Sequence, residues 1–214
     1  MTESKAENLV HIQVDSIILE GSLEIPKGAK SLVLFAHGSG SSRFSPRNNF
    51  VAQILRQAKI STLLIDLLTE KEDEIYENRF NIDLLTDRLL AVTRWLKEQS
   101  QTKDLKIGYF GASTGAAAAL KAAAKLSSKI GAIVSRGGRP DLAEDDLDRV
   151  EAPTLLIVGG NDYVVLDLNK NAYEKIRTVK EMAVIPGATH LFEERGALDE
   201  VAKLAKDWFL KYLQ

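Results

Sequence analysis

The stretch Leu105-Lys106-Ile107-Gly108-Tyr109-Phe110-Gly111-Ala112-Ser113-Thr114-Gly115, followed at once by the alanine-rich run Ala116 to Leu126, decides how the rest of the chain is read. An apolar segment of strand length passes through Gly-x-Ser-x-Gly into a helical pattern. A serine on so sharp a turn has a strained backbone, and side chains at the flanking positions would collide with strand and helix, which glycine avoids. Glycine and serine are also ordinary turn residues, so the surroundings must decide.

Outward from this turn the chain alternates. Ser31 to Ala36, Ile60 to Ile65, Ile130 to Ser135, Thr154 to Val158 and Glu181 to Ile185 read as further strands. Helical patterns cover Pro46 to Ala58, Ile82 to Glu98, Thr114 to Leu126, Asp167 to Arg177 and Ala197 to Tyr212. Near-continuous apolar strands alternating with helices predict a mostly parallel sheet covered on both faces, the α/β class. Leu9 to Val14 and Ile17 to Ile25 precede that alternation and predict an antiparallel opening. The last helix shows its period plainly: Leu198, Val201, Ala202, Ala205, Trp208, Phe209 and Tyr212 share one face. The acidic cluster Glu70 to Glu77 reads as a solvated loop and helix start, with no functional role.

Ligands of open parallel sheets sit beyond the carboxyl ends of the strands, and the unusual residues of this chain gather there. Asp162 follows Leu155 to Asn161, and His190 follows Val184 to Thr189. Serine, acid and histidine therefore occur in the order used by α/β-hydrolases, each just past a strand. Of the three histidines, His11 falls on the polar face of the first strand and His37 ends an earlier strand, which leaves His190 as the base. Asp141, one strand earlier, competes with Asp162 for the acid, and Asp162 is preferred. The glycine-rich His37-Gly38-Ser39-Gly40 turn follows the strand that supplies the second oxyanion donor, so the expected pair of donors is the N–H groups of Ser39 and Thr114. His37 would brace that loop.

With these parts in place the sequence resembles the α/β-hydrolase superfamily, and within it the dienelactone hydrolase-like branch. It also resembles the hydrolase domain that some bacteria fuse to a phosphoribosyltransferase, here expected in stand-alone form. The resemblance rests on His37 to Arg43 with Ser45-Pro46-Arg47-Asn48, Asp66-Leu67-Leu68-Thr69, Gly111 to Gly115, Ser135 to Asp141 and Pro186 to Phe192. Dienelactone hydrolase itself carries cysteine at the elbow, where this chain has Ser113, so the family name does not specify the substrate. The resemblance implies a serine hydrolase of a small ester, thioester or lactone; the alternative is a non-catalytic module that keeps the fold.

Composition narrows the partners. The 214 residues carry 28 basic and 30 acidic side chains, a net charge of −2, with no electrostatic footprint for nucleic acid. A small-molecule substrate is expected. The polar start Met1 to Asn8 lacks the basic and apolar runs of a secretory signal, and no stretch is long enough to span a membrane, so a cytoplasmic location is expected. There is no cysteine, which removes thiolate chemistry and cysteine-ligated metals; neither a metal nor a cofactor is expected. Arg43, Arg47, Arg136 and Arg139 lie on loops after strands. They read either as a receptor for a carboxylate or phosphate or as surface arginines paired with local acids.

Overall fold

A computed structural model describes residues 8–214, so most of the polar amino-terminal stretch lies outside the described residues. Strands β1 (Leu9–Val14) and β2 (Ile17–Glu24) open the chain as an antiparallel pair, followed by β3 (Ser31–Ala36), helix α1 (Pro46–Gln57) and β4 (Ser61–Ile65). A four-residue helix α2 (Glu70–Asp73) and a 3-10 turn over Tyr76–Phe80 lead to α3 (Ile82–Glu98). Then come β5 (Lys106–Ala112), α4 (Thr114–Leu126), β6 (Ile130–Arg136), a 3-10 segment over Pro140–Arg149, β7 (Thr154–Gly159), α5 (Tyr163–Lys175), β8 (Lys180–Ile185) and α6 (Ala197–Tyr212). The eight strands form one sheet in the order β1-β2-β4-β3-β5-β6-β7-β8. β2 runs antiparallel to both neighbours, and from β4 to β8 every pairing is parallel.

The strict two-residue period of a strand divides each apolar run between two cores. In β3, Leu32, Leu34 and Ala36 enter the layer formed with α3, α4 and α5, while Val33 and Phe35 enter the layer formed with α1 and α6. This is why the central strands are apolar throughout rather than alternating: both faces are buried. Phe35 and Phe110 meet with ring centroids 4.9 Å apart on the α1–α6 face. Phe209 of α6 is fully buried on that same face, and a side chain of this size contributes about 2–3 kcal/mol by leaving water.

One boundary departs from the periodicity, and two short segments add detail that the periodicity does not show. α5 begins at Tyr163, directly after Asp162, and not at Asp167. Tyr163 and Val164 are 69% and 74% exposed, so the first turn of that helix presents apolar residues to solvent and hides its own period. The acidic cluster contains α2, whose Thr69 and Glu72 form a reciprocal capping box. The 3-10 segment over Pro140–Arg149 packs against α4 and α5, with Ala143 and Leu147 buried in the same core layer.

Candidate active site

Ser113 stands between β5 and α4 with φ 50° and ψ −122°, a backbone conformation that a residue with a Cβ adopts only under strain of about 1–3 kcal/mol. Its surroundings hold it there. Its N–H donates to the Arg136 carbonyl at 3.3 Å, and its carbonyl accepts from Ala116 and Arg139, both at 3.1 Å. The flanking glycines make the turn sterically feasible: a Cβ on Gly111 would lie 2.4 Å from Ala116 Cα, and one on Gly115 would lie 2.3 Å from the Ala36 carbonyl oxygen. Thr114 is the first residue of α4, so its N–H is one of the donors that a helix leaves without an internal partner.

The loop after β3 packs directly against the elbow, since a Cβ on Gly38 would come within 3.0 Å of Ser113 Cβ. His37 braces this loop. Its Nε2 accepts the Leu67 N–H at 3.1 Å, and its Nδ1 lies 2.9 Å from the Gly38 carbonyl, an arrangement satisfied by the neutral ring carrying its proton on Nδ1. Burial pushes the His37 pKa below its ordinary value; the Gly38 carbonyl and the carboxylates of Asp66 and Asp73 oppose that shift without overcoming it. Ser39, the expected second oxyanion donor, points its N–H at the Thr114 hydroxyl, 2.9 Å away. The Thr114 side chain is a participant that the sequence reading missed, because the motif leaves that position free.

Asp162 and His190 meet across the ends of β7 and β8: Nδ1 of His190 lies 2.7 Å from Oδ2 of Asp162. With the Nδ1 proton held by the carboxylate, Nε2 is left as the acceptor. The two loops are laced together, since the Asn161 N–H donates to the Ala188 carbonyl at 2.9 Å and its side-chain amide donates to the Gly187 carbonyl at 3.0 Å. Behind the histidine, the N–H and hydroxyl of Thr189 both donate to Glu194, at 3.0 and 2.6 Å. The His190 ring sits over Gly137, where an added Cβ would be 3.5 Å from Cε1, one residue beyond the Arg136 carbonyl that receives the Ser113 N–H. Asp141 is elsewhere, bound by both carboxylate oxygens to Arg139 at 2.9 and 2.7 Å.

The four arginines have different fates. Arg43 pairs with both Asp66 and Glu20, and its N–H donates to Asp66 at 2.6 Å. Arg139 belongs to Asp141. Arg47 reaches Glu193 through one contact of 3.3 Å. Arg136 has no carboxylate partner among the described residues, and burial, reinforced by the neighbouring Arg47, lowers its pKa to about 10. A cleft of 590 Å³ opens on the far side of the β3 loop, bordered by His37, Arg43, Asp66 and Leu68; neither Ser113 nor His190 lines it. No cluster of three His, Cys, Asp or Glu side chains suited to a metal occurs among the described residues, and no described helix is long and apolar enough to cross a membrane.

A mostly parallel eight-stranded sheet with an antiparallel start, helices on both faces and a serine elbow after the fifth strand defines the α/β-hydrolase fold. The dienelactone hydrolase family profile matches residues 52–214, and the chain belongs to that family of hydrolases. Its structure is similar to the crystal structure of a dienelactone hydrolase from Anabaena variabilis, with 55% sequence identity, a TM-score of 0.94, and 96% of this chain and 97% of that one covered. Est1E from Butyrivibrio proteoclasticus shares the fold at 18% identity, with a TM-score of 0.83 and coverage of 96% and 98%. Two Mycobacterium tuberculosis proteins named "Putative phosphoribosyl transferase" are 54% identical over 204 residues, 95% of this chain but 46% of theirs. The chain thus spans about half the length of these curated relatives.

Proposed function

We propose that this chain is a serine hydrolase that cleaves a small carboxylic ester, thioester or lactone through a covalent acyl-enzyme on Ser113. The observation that carries this reading is the 2.7 Å contact between His190 and Asp162, which leaves Nε2 as a base on the side of the sheet where the strained elbow presents Ser113. In the forward step Ser113 Oγ attacks the acyl carbon while its proton passes to His190 Nε2. The charge developing on the carbonyl oxygen is taken by backbone donors, for which the N–H groups of Thr114 and Ser39 are assigned. Asp162 holds the imidazole in the required tautomer and stabilises the imidazolium that forms. His190 then returns the proton to the leaving oxygen or sulfur. Water, deprotonated by the same nitrogen, hydrolyses the acyl-enzyme and regenerates Ser113.

The lactone option is supported by the name of the Anabaena variabilis protein. The transferase name of the mycobacterial proteins is carried by chains more than twice as long as the matched stretch, and the present reading draws on the hydrolase family instead. The test is a panel of short acyl p-nitrophenyl esters, thioesters and lactones, assayed with the wild-type protein and with Ser113→Ala. Turnover of at least one class that disappears in the variant is expected. Equal turnover by both proteins would overturn the assignment.

A further inference from the structure

Arg136 is the one arginine of this group whose charge is buried and unanswered. It is 7% exposed, its Nε has no hydrogen-bond partner, and its Nη2 reaches only the Asn48 amide oxygen at 3.4 Å. The Phe192 ring, 5.8 Å from its Cζ, is its other notable neighbour. A guanidinium taken out of water without a counter-charge is strongly unfavourable, and here the adjacent Arg47 adds a like charge. With its pKa near 10 the group stays protonated at neutral pH, so the charge is not relieved by deprotonation.

The strand period explains where this side chain goes. Ala132, Val134 and Arg136 share the face of β6 that is covered by α1 and α6, so the guanidinium is directed at the start of α1. Arg47 and Asn48 occupy the first turn of that 12-residue helix, which contains no acidic residue, and the Ser45 hydroxyl caps the Asn48 N–H. The positive end of a helix, a buried arginine and a second arginine thus converge. Glu193, an exposed side chain, answers Arg47 alone.

We propose that Arg136, Arg47 and the first turn of α1 form a receptor for a small oxyanion group, a carboxylate or a phosphate, with Glu193 held on Arg47 until that group arrives. The receptor adjoins the hydrolytic site, because the Arg136 carbonyl accepts the Ser113 N–H and Phe192 lies two residues beyond His190. Only that placement rests on the serine hydrolase reading; the receptor itself rests on the unpaired charge.

The test is thermal unfolding of the full Ser113→Ala chain in millimolar inorganic phosphate against sodium chloride at equal ionic strength. A rise of about 3 °C is expected on saturation. Arg136→Met should abolish the rise while leaving the protein folded, since a methionine replaces the buried charge with apolar bulk. Arg47→Gln, at a partly exposed position, should fold normally and reduce the rise. Equal melting temperatures in the two salts, or a rise unchanged in both variants, would overturn the proposal. The source of the anion is read in the active enzyme. Phosphate that inhibits competitively, together with a carboxylate-bearing ester that outperforms its methyl analogue, places the anion on the substrate. A melting shift with unchanged KM assigns free phosphate as the ligand. A phosphate shift in a protein without any esterase activity would sink the hydrolase reading and leave the receptor standing.

Discussion

The Ser39 N–H donates to the Thr114 hydroxyl across 2.9 Å, a bond between the loop after β3 and the first residue after the elbow. Packing already fixes the distance between these two segments: the Gly38 backbone abuts Ser113, and Gly115 abuts the carbonyls of Ala36 and His37. The hydrogen bond therefore sets where this donor points in the resting site, and under the proposed mechanism an oxyanion would compete with the hydroxyl for it.

Thr114→Val, which keeps the shape and removes the acceptor, should raise kcat by roughly twofold to fivefold, the equivalent of one net hydrogen bond. It should also lower stability by about 1 kcal/mol. Thr114→Ser should match the wild type in both. Steady-state kinetics and urea unfolding of the three proteins decide it; a fall in kcat for the valine variant would mean that the hydroxyl aims the donor rather than competing for it.

Ser113→Gly should abolish turnover and stabilise the fold by about 1 kcal/mol, because glycine occupies φ 50°, ψ −122° without the Cβ penalty. Equilibrium urea unfolding checks this. A less stable glycine variant would indicate that the serine side chain makes a compensating contact.

Asp162→Asn should lower kcat by about 10⁴, since the amide would favour the wrong histidine tautomer. Asp141→Asn should cost less than tenfold, because its partner is the part-exposed Arg139 and such a pair is worth at most about 1 kcal/mol. Comparable losses in the two variants would contradict the assignment of the acid.

Much of this candidate site is legible in the sequence. The elbow, the acid and the histidine each follow a strand, and the strands were visible because burial on both faces makes them apolar throughout. What was not legible depends on pairings between distant segments. Arg43 finds Glu20 and Asp66 only because β2 lies antiparallel beside β4, which brings the Asp66 N–H to the Glu20 carbonyl at 3.0 Å. The 3-10 segment over Pro140–Arg149 escapes the sequence reading because its few apolar residues, Leu142, Ala143 and Leu147, lie among acids just after the turn residues Gly137, Gly138 and Pro140. Arg136 stands among the four candidate arginines of the sequence, and the strand period sets it apart from the other three: counted in twos from Ala132 and Val134, it falls on a buried face, and an arginine there calls for a partner.

Stability should fall as the pH drops below about 6.5. Burial holds the His37 pKa under its ordinary value of 6.5, so between that value and the lowered one the unfolded chain binds more protons than the folded chain. The contribution is complete above the unfolded value and is lost on acidification, at up to about 1.4 kcal/mol per pH unit. Urea unfolding at pH 7.5, 6.5 and 5.5 should show a shallower pH dependence in His37→Gln than in the wild type, whatever the absolute stability of the variant. Parallel slopes would exclude His37 as the source.

The central claim, that Ser113 is a nucleophile activated by His190 and Asp162, is tested most directly by treating the protein with a fluorophosphonate and mapping the adduct by peptide mass spectrometry. The predicted result is a single adduct on Ser113, absent from Ser113→Ala and formed much more slowly in Asp162→Asn. An adduct on another residue, or none at all under conditions that fully label a control serine hydrolase, would contradict it.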